Sequence, residues 1–236
     1  MCGICGIVDL TGGGINPDRL LNIRESLTHR GPDEAGLHVE AFAGLGHRRL
    51  SIIDLSPNAR QPLQNEDGNI TLVCNGEIYN YRELRQRLVD TGHKFKSNSD
   101  NEVLIHAYEH WGLERTVAQV KGMFAFAIWD RNKKTLWLAR DRLGVKPLFY
   151  AEHKDAFLFS SEIQALYPHI GVSEESVNRG ALDCFLAFGY VPPDRCIVEG
   201  IQKLAPGHIL RYDSSGIKRW KYWDADFSIK NPSSFP

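Results

Sequence analysis

Apolar positions in this chain come mostly as short runs bounded by Gly, Pro, Asn, Asp and Ser, and only a few stretches carry a helical period. Cys5 to Leu10 reads as a buried strand. Pro17 to Thr28 reads as a helix, with Asn16 as N-cap, Pro17 at the first helical position and Leu20, Leu21 and Leu27 turned inward. Leu37 to Ala43, Leu50 to Ile53 and Ile70 to Cys74 read as strands. Asn80, with Glu83 three residues on, makes a capping-box-like start to a helix that carries Leu84 and Leu88 and stops at Gly92. Asp100 reads as the cap of the next helix, which carries Val103, Leu104, Ala107, Tyr108 and Trp111 before Gly112. Beyond it the pattern turns to hairpins: Met123 to Trp129 with Thr135 to Ala139, Leu148 to Tyr150 with Ala156 to Phe159, and Ile209 to Tyr212 with Ile217 to Trp223. A helix is expected over Ser176 to Phe188. Strands and helices do not alternate strictly, and no Gly-x-Gly-x-x-Gly turn follows a strand. An α+β layered fold is therefore expected in place of a parallel doubly wound sheet.

With 236 residues the chain fits one large domain, or one domain and a tail. A net charge of -1 gives no reason to expect nucleic acid or an anionic membrane as a partner. No apolar stretch approaches the ~20 residues of a membrane span. Nor is there a basic start followed by the apolar core of ~7–15 residues that marks secretion. Five cysteines, an odd count, suit a reducing compartment, so a cytoplasmic location is expected.

The candidate chemistry begins at Cys2. Once Met1 is removed, its thiol and a free α-amine sit on one residue, with reference pKa values of ~8.5 and ~8, and the amine can serve as base for the nucleophile beside it. The other reading is an ordinary small residue at a frayed end, against which the apolar run from Ile4 onward counts. Cys2 and Cys5 form a Cys-x-x-Cys that lacks a second ligand pair for zinc, and its place at the chain start does not suit a redox motif. His106 and His110 share a helix face, but no Glu follows the first of them; a half-exposed face is expected there, and no metal site. Arg49 leads into an apolar stretch, where its planar guanidinium suits either a carboxylate grip or a surface ion pair. Asn75-Gly76-Glu77 reads as a loop after a strand, either a plain Asn-Gly turn or a set of oxyanion donors. Asp100 serves as a cap, or as a partner for an ammonium group.

As an ordered set, these residues resemble the glutaminase domain of class II glutamine amidotransferases, within the N-terminal nucleophile hydrolase superfamily. The pieces are Cys2-Gly3-Ile4-Cys5-Gly6, His29-Arg30-Gly31-Pro32-Asp33, Arg49 to Asp54, Asn75 to Asn80, Ser99-Asp100 and Gly122 to Ala127. The stretch Ala139 to Tyr150 and then Ser160-Ser161-Glu162 are similar, more narrowly, to the glutamine-hydrolysing asparagine synthetase branch. Ser99-Asp100-Asn101-Glu102 departs from the Ser-Asp-Thr-Glu form common in relatives but keeps the aspartate.

The resemblance implies a four-layer αββα sandwich. It also implies hydrolysis of glutamine to glutamate and ammonia through a thioester on Cys2. Asn75 and Gly76 would form the oxyanion hole, and Arg49 would hold the α-carboxylate in a pocket lined by Leu50, Ser51, Ile52 and Ile53. Asp100, with Gly76 or Glu77, would hold the α-ammonium. The expected division is a glutaminase domain over 2–223 and, over 224–236, the start of a linker toward a synthetase domain. No cofactor is expected for the glutaminase part. The ATP-binding Ser-Gly-Gly-x-Asp-Ser loop occurs nowhere, so ATP and Mg belong to a C-terminal or separate synthetase that takes the ammonia, most simply for aspartate. Three alternatives stay open: the same fold serving another acceptor, an N-terminal nucleophile peptidase or acylase, and a non-catalytic regulatory domain.

Overall fold

The computed structural model describes residues 1–154, 156–173 and 176–227, and in it the apolar runs form two six-stranded antiparallel sheets stacked face to face. One sheet has the order β10 (Gln202–Lys203), β8 (Phe149–His153), β9 (Ala156–Ser160), β1 (Gly3–Val8), β3 (Ala43–Arg49), β2 (Glu34–Val39). The other runs β12 (Gly216–Lys221), β11 (His208–Asp213), β7 (Thr135–Arg140), β6 (Gly122–Asp130), β5 (Ile70–Ile78), β4 (Leu63–Gln64). Helix α1 (Pro17–Glu25) and the short α5 (Tyr167–Ile170) pack on the outer face of the first sheet. Helices α2 (Tyr81–Asp90), α3 (Glu102–Trp111) and α4 (Leu113–Gln119) cover the second. A further helix, α6 (Arg179–Phe188), starts at the Asn178 cap and leaves Phe185, Leu186 and Phe188 exposed. This is the αββα sandwich.

The strands read as continuous apolar runs because both of their faces are covered. Along β1, Ile4 and Val8 point between the sheets, while Cys5 and Ile7 point at Leu20, Ile23 and Leu27 of the α1 side. Along β6, Ala125, Ala127 and Trp129 enter the inter-sheet layer, and Phe124, Phe126 and Ile128 meet α2 and α3. Period-two alternation is present, but it sorts one apolar set from another.

Several boundaries differ from the sequence expectation. Leu50 to Ile53 is not a strand; the strand is β3 before it, and Ile52 is exposed in the loop that follows. Leu37 to Ala43 spans the end of β2, a turn and the start of β3. Asn75-Gly76-Glu77 is no loop: β5 continues to Ile78, paired with β6 throughout. Asn80 occupies the N-cap of α2 as expected but makes no side-chain capping bond, because its side chain accepts from the Lys121 N–H at 2.9 Å and donates to the Gln119 carbonyl at 3.1 Å. Asn101, not Asp100, occupies the N-cap of α3. The two short helices α4 and α5 were not foreseen. Of the expected linker, 228–236 lies outside the described residues.

One loop fixes the end of the second sheet. Arg140 donates to the carbonyls of Lys146, Leu204 and Gly144, each at 2.7 Å. The next residue, Asp141, is 1% exposed, and its carboxylate accepts from the amides of Leu143, Val145, Lys146 and Phe124 at 3.0–3.3 Å. A charge buried this deeply is tolerated because hydrogen bonds satisfy it. Asp141→Ala should destabilise the fold by about 3–5 kcal/mol, since each buried amide left unpaired costs about 1–3 kcal/mol. Urea denaturation measures this, and a loss under about 1 kcal/mol would deny the loop its anchoring role.

Candidate active site

Cys2 sits just before β1, a strand paired on both sides, with β3 and β9. Its backbone is held by residues far along the chain. Arg30 Nε donates to the Cys2 carbonyl at 2.9 Å, and Arg30 Nη1 pairs with Glu162 Oε1 at 2.7 Å. Burial works against the charge on Glu162, but hydrogen bonds from Arg30 and His29 outweigh it and keep that carboxyl below its ordinary range. Ile4 N–H donates to Ser161 Oγ at 3.0 Å, and Ser161 N–H returns to the Ile4 carbonyl at 2.9 Å. Gly3 completes the seat, since a Cβ there would lie 2.8 Å from Leu27 Cβ. The backbone of the candidate nucleophile is therefore fixed.

The Cys2 thiol is half-buried and donates to the Leu50 carbonyl at 3.7 Å. Burial pushes its pKa up, and the Leu50 contact, the chain-terminal amine and Arg49 pull it back only in part. At neutral pH the sulfur keeps its proton, so a base is required before it can attack.

Opposite lies the end of β5. Phe124 turns both its N–H and its C=O toward Asp141, so the facing Gly76 directs its own polar groups to the other edge of β5. On that edge Cys74 N–H is taken by Gln61 Oε1 at 2.6 Å and Ile78 N–H by Asp100 Oδ2 at 2.6 Å. The Gly76 N–H falls between them. Gly76 is required for a reason the sequence did not reveal: a Cβ would stand 2.2 Å from the Met123 carbonyl, so the missing side chain makes room for β6 and not for a ligand. Asn75 and Glu77 project from the opposite face of the strand, toward the sheet that carries Cys2. Asn75 is 1% exposed, and its Nδ2 is buried without a hydrogen-bond partner.

Glu77 and Asp100 form a carboxylate pair. Burial first, and then the neighbouring Asp100, push Glu77 up to about 7. Burial raises Asp100 as well, against amide donors that include Ile78, and their shared hydrogen bond keeps the proton on Glu77. Among the described residues no cationic side chain bonds to either carboxylate. Lys146 is buried and lowers the Glu77 pKa through space.

Arg49 is 5% exposed and already engaged. Its Nη1 pairs with Glu34 at 2.6 Å, and its Nη2 donates to the carbonyls of Ile53 and Asp54. It thereby shapes the Leu50 to Asp54 loop, which Ser51 N–H also ties to Asp33 at 2.8 Å. The loop carries the Leu50 carbonyl to Cys2, while the Ile52 side chain faces solvent. The structure thus gathers Cys2, Arg49, Leu50, Asn75, Gly76, Glu77 and Asp100 around one end of the inter-sheet layer. Sequence reasoning gave no role to Arg30, Ser161, Glu162 or Lys146, although all four fall inside the motifs that carried the resemblance.

Residues 1–223 match the family model described as a glutamine amidotransferase domain. The chain is 37% identical to glutamine-hydrolysing asparagine synthetase 3 of Bacillus subtilis, over all of this chain and 38% of that one. It is 45% identical to asparagine synthetase 2 of the same organism, over 94% of this chain and 30% of the relative. The chain thus spans about a third of the length of these relatives. Among solved structures, the glutamine phosphoribosylpyrophosphate amidotransferase of B. subtilis superposes with a TM-score of 0.69 over 94% of this chain and 49% of that one, at 22% identity; the likeness is one of fold.

The carboxylate pair makes a prediction of its own. A raised Glu77 contributes stability that is fully present below its unfolded pKa of ~4.5 and is lost as pH rises through about 7. Asp100→Asn should bring the Glu77 titration down toward the ordinary glutamate range, as followed by NMR of labelled carboxylates, and should flatten the decline in stability between pH 5 and 8. An unchanged titration would mean that the two carboxylates do not interact.

Proposed function

The chain belongs to the class II glutamine amidotransferases of the N-terminal nucleophile type, and on that premise we propose that it hydrolyses glutamine to glutamate and ammonia at Cys2. The observation that carries the reading is the Glu77–Asp100 pair beside the thiol: one half-buried and one buried carboxylate, with no bonded cation among the described residues, make a seat for the α-ammonium of an amino acid. The unused donors of the Arg49 guanidinium serve the α-carboxylate.

The chemistry follows from the seat. With Met1 removed, the α-amine of Cys2 takes the thiol proton, and the thiolate attacks the side-chain carboxamide carbon of glutamine. Negative charge then develops on the amide oxygen. The unpartnered Asn75 Nδ2–H and the edge-facing Gly76 N–H are the donors for it, a device worth ~2.7–4 kcal/mol per donor. Collapse expels ammonia, which carries away the proton returned by the amine, and leaves a γ-glutamyl thioester. Water, deprotonated by the same amine, attacks the thioester and frees glutamate.

A destination for the ammonia is suggested by the relatives, which are named as glutamine-hydrolysing asparagine synthetases. In our reading it passes to an ATP-dependent synthetase part that amidates aspartate, and ATP and Mg would bind there. Tyr79, Leu143 and Val145, exposed apolar residues beside the Lys146 loop, suit a mouth covered by such a partner.

Three outcomes test the reading. The isolated chain should release ammonia from glutamine, Cys2→Ala should abolish the release, and protein retaining Met1 should be inactive because a peptide nitrogen cannot act as base. Equal rates with and without Met1 would overturn the amine mechanism. On Cys2→Ala protein, glutamine affinity by calorimetry should rise as pH increases through about 7, when Glu77 ionises toward the ammonium. Glu77→Gln should remove that rise, and a slope that survives it would place the ammonium elsewhere.

A further inference from the structure

Away from Cys2, on the helix-covered side of the second sheet, a second cluster has donors and no assigned role. His106 on α3 is 2% exposed, not part of a half-exposed face as its spacing from His110 suggested. Its Nε2 faces Glu102 at 3.7 Å. Glu102 is buried and held by the amides of Lys96 and Ser97, at 2.7 and 2.8 Å, and by Ser97 Oγ at 2.6 Å. A carboxylate facing one ring nitrogen orients the imidazole and aims the other nitrogen, the arrangement behind many metal-bound histidines.

That other nitrogen, Nδ1, is buried and has no hydrogen-bond partner. It lies 4.0 Å from Glu66 Oε2 and 4.0 Å from Glu109 Oε2, too far for a proton to bridge. Glu109 Oε2 also lies 3.6 Å from His93 Nδ1, while Asn65 Nδ2 holds the other Glu109 oxygen at 3.2 Å. His93 Nδ1 thus faces the same Glu109 oxygen as His106 Nδ1 and offers a second imidazole lone pair to a common point.

From these donors we propose that His93, His106 and Glu109, with Glu66 as the fourth, bind a zinc ion or a similar divalent transition metal. The three nearest donor atoms all lie within 4.8 Å of one another. Metal–ligand bonds of 2.0–2.2 Å put tetrahedral donors about 3.4 Å apart, so closure from the present spacing of up to 4.8 Å needs side-chain movements of about 1 Å, with Glu66 moving furthest. The partly exposed Glu66 and Glu109 side chains supply them. Two imidazoles exclude calcium and magnesium as preferred ions and suit zinc. A cavity of about 340 Å³, lined in part by Glu66, His93 and Glu109, gives the ion a way in from solvent. Bound there, it ties the β4–β5 turn, the loop after α2 and α3 into one unit. This site involves neither Cys2-Gly3-Ile4-Cys5 nor the proposed hydrolysis.

Chelator-treated full-length chain, titrated with zinc chloride in a calorimeter, should take up one equivalent and melt at a higher temperature when loaded. His93→Ala and Glu109→Ala should each weaken the binding at least tenfold; both residues reach solvent, and circular dichroism will confirm that the variants fold. Cobalt in place of zinc should give a tetrahedral visible spectrum without thiolate charge transfer. No stoichiometric zinc, binding unaffected by both substitutions, or a thiolate band placing the ion on cysteine would each overturn the proposal.

Discussion

The buried carboxylate of Asp141 is the point on which the rest of the site turns. It accepts the Phe124 N–H while the Asp141 backbone N–H donates to the Phe124 C=O, and together these bonds set the hydrogen-bonding phase of β6, and with it the phase of the facing β5. That phase decides which way the Gly76 N–H points. The same carboxylate holds the Lys146 amide and so places the lysine within electrostatic reach of Glu77. One anion with complete amide coordination thus sets both the donors and the charge of a neighbouring pocket.

The two sets of acidic residues near Cys2 are handled in opposite ways. Glu162 is matched by Arg30 and works structurally, steadying the Cys2 carbonyl. Glu77 and Asp100 are unmatched, and their mutual repulsion is relieved by a proton. Matched charge gives rigidity, whereas unmatched charge gives an affinity for cations.

Much of this was legible in the chain. The Asn16 cap, the central hairpin of β6 and β7 and the buried strand after Cys2 all rest on local chemistry, and the structure has them close to where the pattern put them. The failures share a cause. Asn-Gly inside β5 looked like a turn because the reason for its glycine, the backbone of β6, lies almost fifty residues further along the chain. The Leu50 to Ile53 loop looked like a strand because it is apolar in composition, yet Ile52 faces solvent and the loop is held by Arg49 and Asp33, not by a sheet partner. Arg30, Glu162 and Lys146 act on partners that no local period can show. His93 was overlooked because helical spacing pairs His106 with His110, while folding pairs it with a residue on a neighbouring loop.

The placing of β1 between β3 and β9 also has a consequence in time. The contact of Ile4 with Ser161 closes a separation of 157 residues, and Glu162 is just as remote from the residue it steadies through Arg30. Chains dominated by such distant pairings form them late, because loop-closure entropy must be overcome first. On the ribosome, the first strand made is thus among the last to be completed, with one edge open until β9 emerges. The thiol is synthesised well before Ser161 and Glu162, the residues that complete its setting. A nascent chain carries the nucleophile without the machinery that would let it react.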